Sequence, residues 1–576
     1  MNCAYRLIWN ERLNAWSVVP EIATARGKGG AGKRSAAVLL LTLAFGSHAA
    51  LAADLAATAL PGGGQVTAGQ ATVSTNGASM AINQSSQRAI INWQNFDIGS
   101  QAQVNFLQPN GSAVALNRVS GPTATRIEGQ LSANGQVFLV NPNGVLFGAG
   151  ARVNVGALAV STLNIRDDDF LGGNYLFTGS GRSIINQGQI SAAPGGYLAF
   201  ISPTITNSGT LSAPQGTVAM GAGERVRLNF AGDRLVGLDV SADTIDTLIT
   251  NSQAIRAEGG AILLTAAGAE AVTRSAINNT GVLEAGSLNR DGGRIVLKAA
   301  GDISLGATST VAVDGQKGGE ITLQAQAGTL LVDGRVAARG AAWTGGTVRL
   351  LGRQVGLVNA AQVDASGATG GGTVLVGGDY QGSNSAVQNA WRTYVAPGVT
   401  IRADALQQGD GGKVVVWADD VTRFYGKISA TGGPLAGNGG FVEVSGKGYL
   451  GFNGVVDTTA LNGSVGTLLL DPTNIEVITG GTATLAQVDQ FADPDLTAPC
   501  AAFGGAACSR IAPTTINAAA ANVVLQATNN ILFSNAVSMT NPGVGLTATA
   551  QTGNITVNAP ITTANRATSG TTGAVT

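Results

Sequence analysis

A glycine pair followed by an alternating apolar strand recurs seven times in the middle of the chain, and it constrains the fold more than any other feature. The copies are GGAILLTA at Gly259, GGRIVLKA at Gly292, GGEITLQA at Gly318, GGTVRLLG at Gly345, GGTVLVGG at Gly371, GGKVVVWA at Gly411 and GGFVEVSG at Gly439. Counted from the first glycine, positions +3 and +5 are Ile262/Leu264, Ile295/Leu297, Ile321/Leu323, Val348/Leu350, Val374/Val376, Val414/Val416 and Val442/Val444. All are Val, Ile or Leu. Position +4 wanders through Leu263, Val296, Thr322, Arg349, Leu375, Val415 and Glu443. A period of two with one constant face is a strand that buries that face.

One short strand cannot bury a face alone, whereas stacked copies share a core. The intervals of 33, 26, 27, 26, 40 and 28 residues leave room for two or three short strands and their turns. That is about one coil of a parallel β-helix, and mostly too little for a propeller blade of roughly 40–45 residues. At ~4.8 Å per coil, roughly twenty coils would stack to about 100 Å. Glycine, at 83 of 576 residues, suits corners that need left-handed backbone. The expected fold class is all-β, a right-handed parallel β-helix. The calcium-binding glycine repeats of other solenoids are not matched, since the nearest stretch, GDGGK at Gly409–Lys413, has the wrong pattern.

Toward the C-terminus a second repeat, NVVLQATNNILFSNAV (Asn522–Val537) and GLTATAQTGNITVNAPI (Gly545–Ile561), places Ile531 and Ile555 24 residues apart. Before it, Leu485, Val488 and Phe491 are spaced for one face of a short helix. Cys500 and Cys508 are the two cysteines left beside Cys3, and in an oxidising compartment they are expected to close a small disulfide loop. Gly573–Thr576 reads as the opening of another strand, so a longer product or a further capping segment is expected.

The N-terminus reads as an export signal of unusual length. Lys33 and Arg34 precede an apolar run, Ala36 to Phe45, and Ala50-Leu51-Ala52 offers small residues for cleavage at Ala52 or Ala53. Of 33 basic and 34 acidic side chains, residues 1–53 hold six and two, leaving 27 against 32, net −5. That balance disfavours nucleic acid and anionic membrane as partners. The one histidine, His48, leaves with the leader, which removes Ser-His-Asp and Cys-His machinery and His-ligated metal from the mature chain. No cofactor and no metal are expected. Asp167-Asp168-Asp169 is read as a solvated loop rather than a cation site.

Residues 54–200 have another texture, rich in Asn and Gln. STNGASMAINQSSQRAIINWQNFDIG (Ser74–Gly99), VNFLQPNGSAVALNRVSG (Val104–Gly121) and GQLSANGQVFLVNPNGVLFGAGARVNVGALAVSTLNI (Gly129–Ile165) resemble the secretion domain of the filamentous haemagglutinin family, the large exoproteins of Gram-negative two-partner secretion. The long leader resembles the extended signal peptide of that family and of autotransporters. The resemblance covers roughly residues 1–165 closely and the GG repeats more loosely. It implies passage through the general secretory machinery, then an outer-membrane β-barrel transporter as partner, with the secretion domain capping and nucleating a right-handed β-helix. The secretion-motif residues it implies are Asn117 and Arg118 of NRV and Asn141, Pro142, Asn143 and Gly144 of NPNG. Val145 stands where the family usually has isoleucine, and Gln108-Pro109-Asn110-Gly111 stands near a second family motif that reads Asn-Pro-Asn.

Read from the residues alone, Asn-Pro-Asn-Gly is a good β-turn, with Pro fixing φ at the second position and Gly tolerating a positive φ. That favours a folding role over a contact role for Asn141 and Asn143. Arg118 is expected to pair with Glu128 or face solvent, and Trp93 to pack at an exposed edge. The positions at +6 are mostly neutral (Thr265, Gln324, Gly377, Ser445, with Lys298 and Trp417 as exceptions), and Asp419-Asp420 alternates faces. A polysaccharide-acting enzyme is therefore the weak alternative, and a contact-dependent toxin carrier or cytolysin the nearer one. The expected organisation is 1–53 leader, 54–300 secretion domain, 301–470 stalk, 471–520 irregular insertion with the cysteine loop, and 521–576 further coils. The expected function is a secreted or surface adhesin directed at a host or bacterial receptor whose identity the sequence does not encode legibly.

Overall fold

The computed structural model describes residues 5–10, 15–20, 54–242, 246–268, 275–287, 291–480, 491 and 500–563. The leader cleavage residues Ala52 and Ala53, the expected helix around Leu485–Phe491 (Phe491 apart) and Gly573–Thr576 lie outside them. The chain divides at Asp54 into two units. In the first, Tyr5–Asn10 and Ala15–Pro20 pair antiparallel, with Trp9 opposite Trp16.

The second unit opens antiparallel. Gln65–Ala68 pairs with Arg88–Trp93, and Ala71–Asn76 with Ser79–Gln84. These strands occupy the first edge, which otherwise would be open to pairing with another chain. From there the stacking is parallel. One column of inward side chains runs Met80, Val104, Leu131, Val153, Ile190, Leu211, Ile255, Leu283, Val311, Val336, Val363, Ile401, Ile428 and Val456, each opposite the next in register. Every one is buried. The fold is a parallel β-helix.

The fourteen +3 and +5 residues of the glycine-pair repeat are all fully buried. Ile262, Ile295, Ile321, Val348, Val374, Val414, Val442 and Leu468 form one register column. Glycines such as Gly259 (φ +66°) and Gly409 (φ +92°) do hold left-handed backbone, but the second glycine of each pair serves a different purpose. The second glycine of each pair sits on the same glycine of the preceding coil. A Cβ on Gly319, Gly346, Gly372 or Gly412 would lie 2.1–2.2 Å from the carbonyl oxygen of Gly293, Gly319, Gly346 or Gly372 respectively. Close backbone approach requires glycine there, and none of these four has a positive φ.

Outside the coils, Asn164–Ile165, Leu176–Thr178, Arg225–Ala231 and Arg234–Ser241 form a four-stranded antiparallel sheet. With the helix Asp167–Gly172 it covers the outward column Leu116, Phe138, Ala159, Ala199, Ala219. Phe170, Tyr175, Phe177 and Phe230 pack there with Phe138 and Tyr197. Asp167–Asp169 is thus the first turn of a short helix and not a loop. Past the stalk, Ile475–Val477 pairs in parallel with Ser509–Ile511 and with Ile531–Phe533. Pro513–Asn517 is helical. Ile531 lies opposite Ile555, so the 24-residue spacing is one coil.

Candidate secretion site

Asn117 lies on the strand Val114–Val119 in an inward column between Ile91 and Leu139, and it is fully buried. A lone amide in an apolar column must find partners or cost roughly 1–3 kcal/mol. Its Oδ1 accepts from Trp93 Nε1 at 3.0 Å, and its Nδ2 donates to the carbonyls of Ala115 and Phe138, both at 3.3 Å. Trp93 is therefore an interior residue, 1% exposed, with its ring edge-on to Phe96. It does not pack at an exposed edge as expected.

The neighbouring Arg118 faces outward and leaves the coil. Its Nη2 donates to the Ile165 carbonyl and to Asp167 Oδ1, both at 2.7 Å. Glu128, the expected partner, is instead 3.7 Å from Arg126. NRV thus ties the coil in two directions, Asn117 to the interior tryptophan and Arg118 to the helix outside. The ion pair is half open to solvent at Asp167, so the bond to the carbonyl matters at least as much.

Asn141–Gly144 is the turn that follows the buried strand Gln136–Val140. The Gly144 N–H donates to the Asn141 carbonyl at 3.1 Å, and Asn141 Oδ1 accepts from the Asn143 N–H at 3.0 Å. Gly144 has φ +108°. Both side-chain amides then reach the preceding coil. Asn141 Nδ2 donates to the Thr123 carbonyl and Thr125 Oγ1 at 3.0 Å, and Asn143 Nδ2 to the Gly121 carbonyl at 2.9 Å. Asn141 has no exposed surface. Gln108–Gly111 is built otherwise. Its Asn110 is exposed and bonds Ser112 and Gln87, while Gln108 is buried against Gln84 and the Ala113 carbonyl.

One group of buried polar residues escaped the sequence reading. Asn186 donates to Asn207 Oδ1, Asn207 to Asn251 Oδ1 and Asn251 to Asn279 Oδ1, each at 2.7 Å. Each Nδ2 also reaches the carbonyl two residues on. The signal was present as Asn-Gln-Gly, Asn-Ser-Gly and Asn-Thr-Gly at 186, 207 and 279. Nearby, burial pushes the Tyr197 hydroxyl well above the usual phenol range, and it donates to Gln136 Oε1 at 2.6 Å.

Far from this region, Cys500 and Cys508 are buried with Cα atoms 5.8 Å apart, a separation that a disulfide spans. The Glu476 carboxylate converges on both sulfurs within 4.8 Å, so reduced thiols would give a cation three donors. Arg510 Nε, 3.4 Å from Glu476, already balances that carboxylate.

Residues 57–313 match the family described as the TPS secretion domain, TPS being two-partner secretion, and residues 1–50 match the Extended Signal Peptide of Type V secretion system. The chain carries the secretion domain and the extended signal peptide of a two-partner secretion exoprotein. The solved HMW1 secretion domain from Haemophilus influenzae is similar to the exoprotein at 28% identity. It covers 70% of this chain and 99% of that one, with TM-score 0.55. A heme/hemopexin-binding protein of H. influenzae (strain ATCC 51907 / DSM 11121 / KW20 / Rd) is 30% identical over 285 residues, 48% of this chain and 30% of that protein. A second heme/hemopexin-binding protein of H. influenzae is 31% identical over 250 residues, 39% and 26% of the two chains. The exoprotein therefore spans less than a third of the curated relatives it matches. Signal peptide and secretion domain together place it outside the outer membrane, secreted or on the cell surface. No helix among the described residues is long and apolar enough to cross a membrane.

Proposed function

We propose that the chain is a secreted or surface-associated adhesin, exported by the general secretory machinery and then by an outer-membrane β-barrel transporter that engages its secretion domain. The observation that carries this reading is the secretion-domain match over 57–313, on coils whose motif residues are all bonded into the fold. The stalk is read as non-enzymatic and cofactor-free, and as the part that meets a surface receptor. The proposal keeps the domain boundaries given above and a Cys500–Cys508 disulfide. Within it, Asn117, Arg118, Asn141, Pro142, Asn143 and Gly144 act by shaping the first coils rather than by touching the transporter. The burial of Asn117 and Asn141 supports that division.

The test pairs secretion by cells carrying the barrel partner with thermal stability of the purified 54–313 fragment. Gly144→Val, whose Cβ would lie 3.1 Å from the Ser183 carbonyl in a backbone that disfavours side chains, is expected to lose both. Asn143→Asp is expected to lower both together. Lost secretion at unchanged stability would make Asn143 a transporter contact.

A second reading, capture of a haem carrier, is favoured by the two relatives. Residues 54–576 contain no histidine, so such a role would run through contact with the carrier protein rather than imidazole ligation of haem. Saturable binding of the mature chain to host cells, measured beside binding to haem-loaded hemopexin, decides between the two.

A further inference from the structure

Between the strands Thr373–Val376 and Arg392–Val395 the chain leaves the coil and lies back across the outward face of its neighbours. Residues 377–390 touch coils on both sides of their own. Gln388 bonds Gln324 at 3.0 Å and the Gln326 carbonyl at 2.8 Å. Val387 packs on Leu375, Val415 and Trp417, an apolar cluster separate from the interior. Asn389 donates to Asp419 Oδ1, which also accepts from Trp417 Nε1, both at 3.0 Å. Trp417 thus faces outward, as the strand period requires, and is nevertheless only 4% exposed.

The other end of the segment closes over a carboxylate. Glu443 has no exposed surface, and its two oxygens accept from the Gln381 N–H at 3.2 and 3.1 Å. Gln381 Nε2 donates to Asp471 Oδ2 at 3.0 Å. Gln381 is one of three described non-glycine residues with a positive φ, at +50°, a conformation that needs neighbouring contacts to hold it.

We propose that residues 377–390 form a proton-gated strap, closed over the Leu375–Val415–Trp417 face while Glu443 carries a proton and loosened when it ionises. The inference is independent of the adhesive reading. On its own strand Glu443 neighbours Ser445, and in register it lies between Val415 and Leu469. The charged groups that face it are Lys413 and Asp471, with Asp379 on the strap bonded to Lys413 at 2.5 Å. Burial pushes Glu443 up to about 7; the Gln381 N–H, Ser445 and Lys413 oppose the rise, and Asp471 adds to it. Burial likewise raises Asp471 to about 6. Closure favours the protonated acid. The strap is therefore firmest below the ordinary carboxylate range, weakens as pH rises from there, and has lost that support once pH passes about 7.

Hydrogen exchange of the full mature chain, corrected for the intrinsic pH dependence, tests this between pH 5.5 and 8.5. Protection of peptides spanning Gln381–Ala390 is expected to fall by up to roughly tenfold per pH unit from pH 5.5 to about 7 and to level off above it, while peptides from Thr347–Leu357 stay constant. Glu443→Gln, which keeps the acceptor and cannot ionise, is expected to flatten that profile. Asp471→Asn, which removes the neighbouring negative charge, is expected to move the midpoint to lower pH. Chymotryptic cleavage after the half-exposed Tyr380 should rise over the same range. A flat wild-type profile, an unchanged slope in Glu443→Gln, or an unmoved midpoint in Asp471→Asn would each overturn the proposal. If Glu443→Gln fails to fold, the Asp471→Asn midpoint and the cleavage profile decide.

Discussion

One buried column of the β-helix changes chemistry partway along. In register it reads Ile127, Phe147, Asn186, Asn207, Asn251, Asn279, Leu305, Val332, Leu357, Val395, Phe424, Phe452. All twelve are essentially inaccessible. The backbone is the same and the packing differs. In the secretion domain four consecutive coils satisfy one another through amides, and from Leu305 onward the same position is filled by hydrocarbon. The change falls near the end of the 57–313 match. A coil stack tolerates either solution, provided every amide finds its partners. A buried amide is cheap only where its N–H and oxygen are met, by the next asparagine in this column and by Trp93 and backbone carbonyls at Asn117, and a buried leucine only where apolar surface surrounds it.

The largest effect should come from crossing the two chemistries. Phe424→Asn places one amide between Val395 and Phe452 with no partner and leaves a cavity, so a loss of about 3–5 kcal/mol is expected in denaturant unfolding of the mature chain. A smaller loss is expected from Asn251→Leu, which takes one of two acceptors from the Asn207 amide and leaves the Asn279 oxygen without its Asn251 donor, at a cost of about 2–3 kcal/mol. Replacing Asn186, Asn207, Asn251 and Asn279 together by Val or Leu sharpens the comparison. It should cost less than the sum of four single changes, because no asparagine is left facing a lost asparagine partner. A loss equal to that sum would mean that each asparagine acts alone. The smallest effect is expected for Trp93→Phe, which removes the donor to Asn117 Oδ1 and little volume, for about 1–2 kcal/mol by thermal unfolding of the 54–313 fragment.

Much of the fold was legible because the repeat is written in residue types. The +3 and +5 positions had to be buried, and they are. Ile531 and Ile555 sit one coil apart as their spacing implies. The reason for the glycines was not legible, since close approach between coils depends on neighbours 26 to 40 residues away. Of the motif residues, the NPNG turn could be read locally, and the structure adds the reach of Asn141 and Asn143 to the preceding coil. The partner of Arg118 could not be read, because Asp167 is brought to it by a helix outside the coils. Trp417 and Glu443 misled for a similar reason. Strand alternation put them outside, and only the excursion at 377–390 shows that outside is covered there.

That excursion also imposes a sequence of events in time. The asparagine bonds reach back 21, 44 and 28 residues, so each coil is complete when the next one arrives. Gln381 must wait 62 residues for Glu443 and 90 for Asp471. A chain that emerges N-terminus first therefore leaves the Leu375–Val415–Trp417 face wet until the coils carrying 413, 443 and 471 have been laid down. For that interval the growing end carries an unfinished, adhesive seam, and its sealing marks a delayed checkpoint several coils behind the folding front.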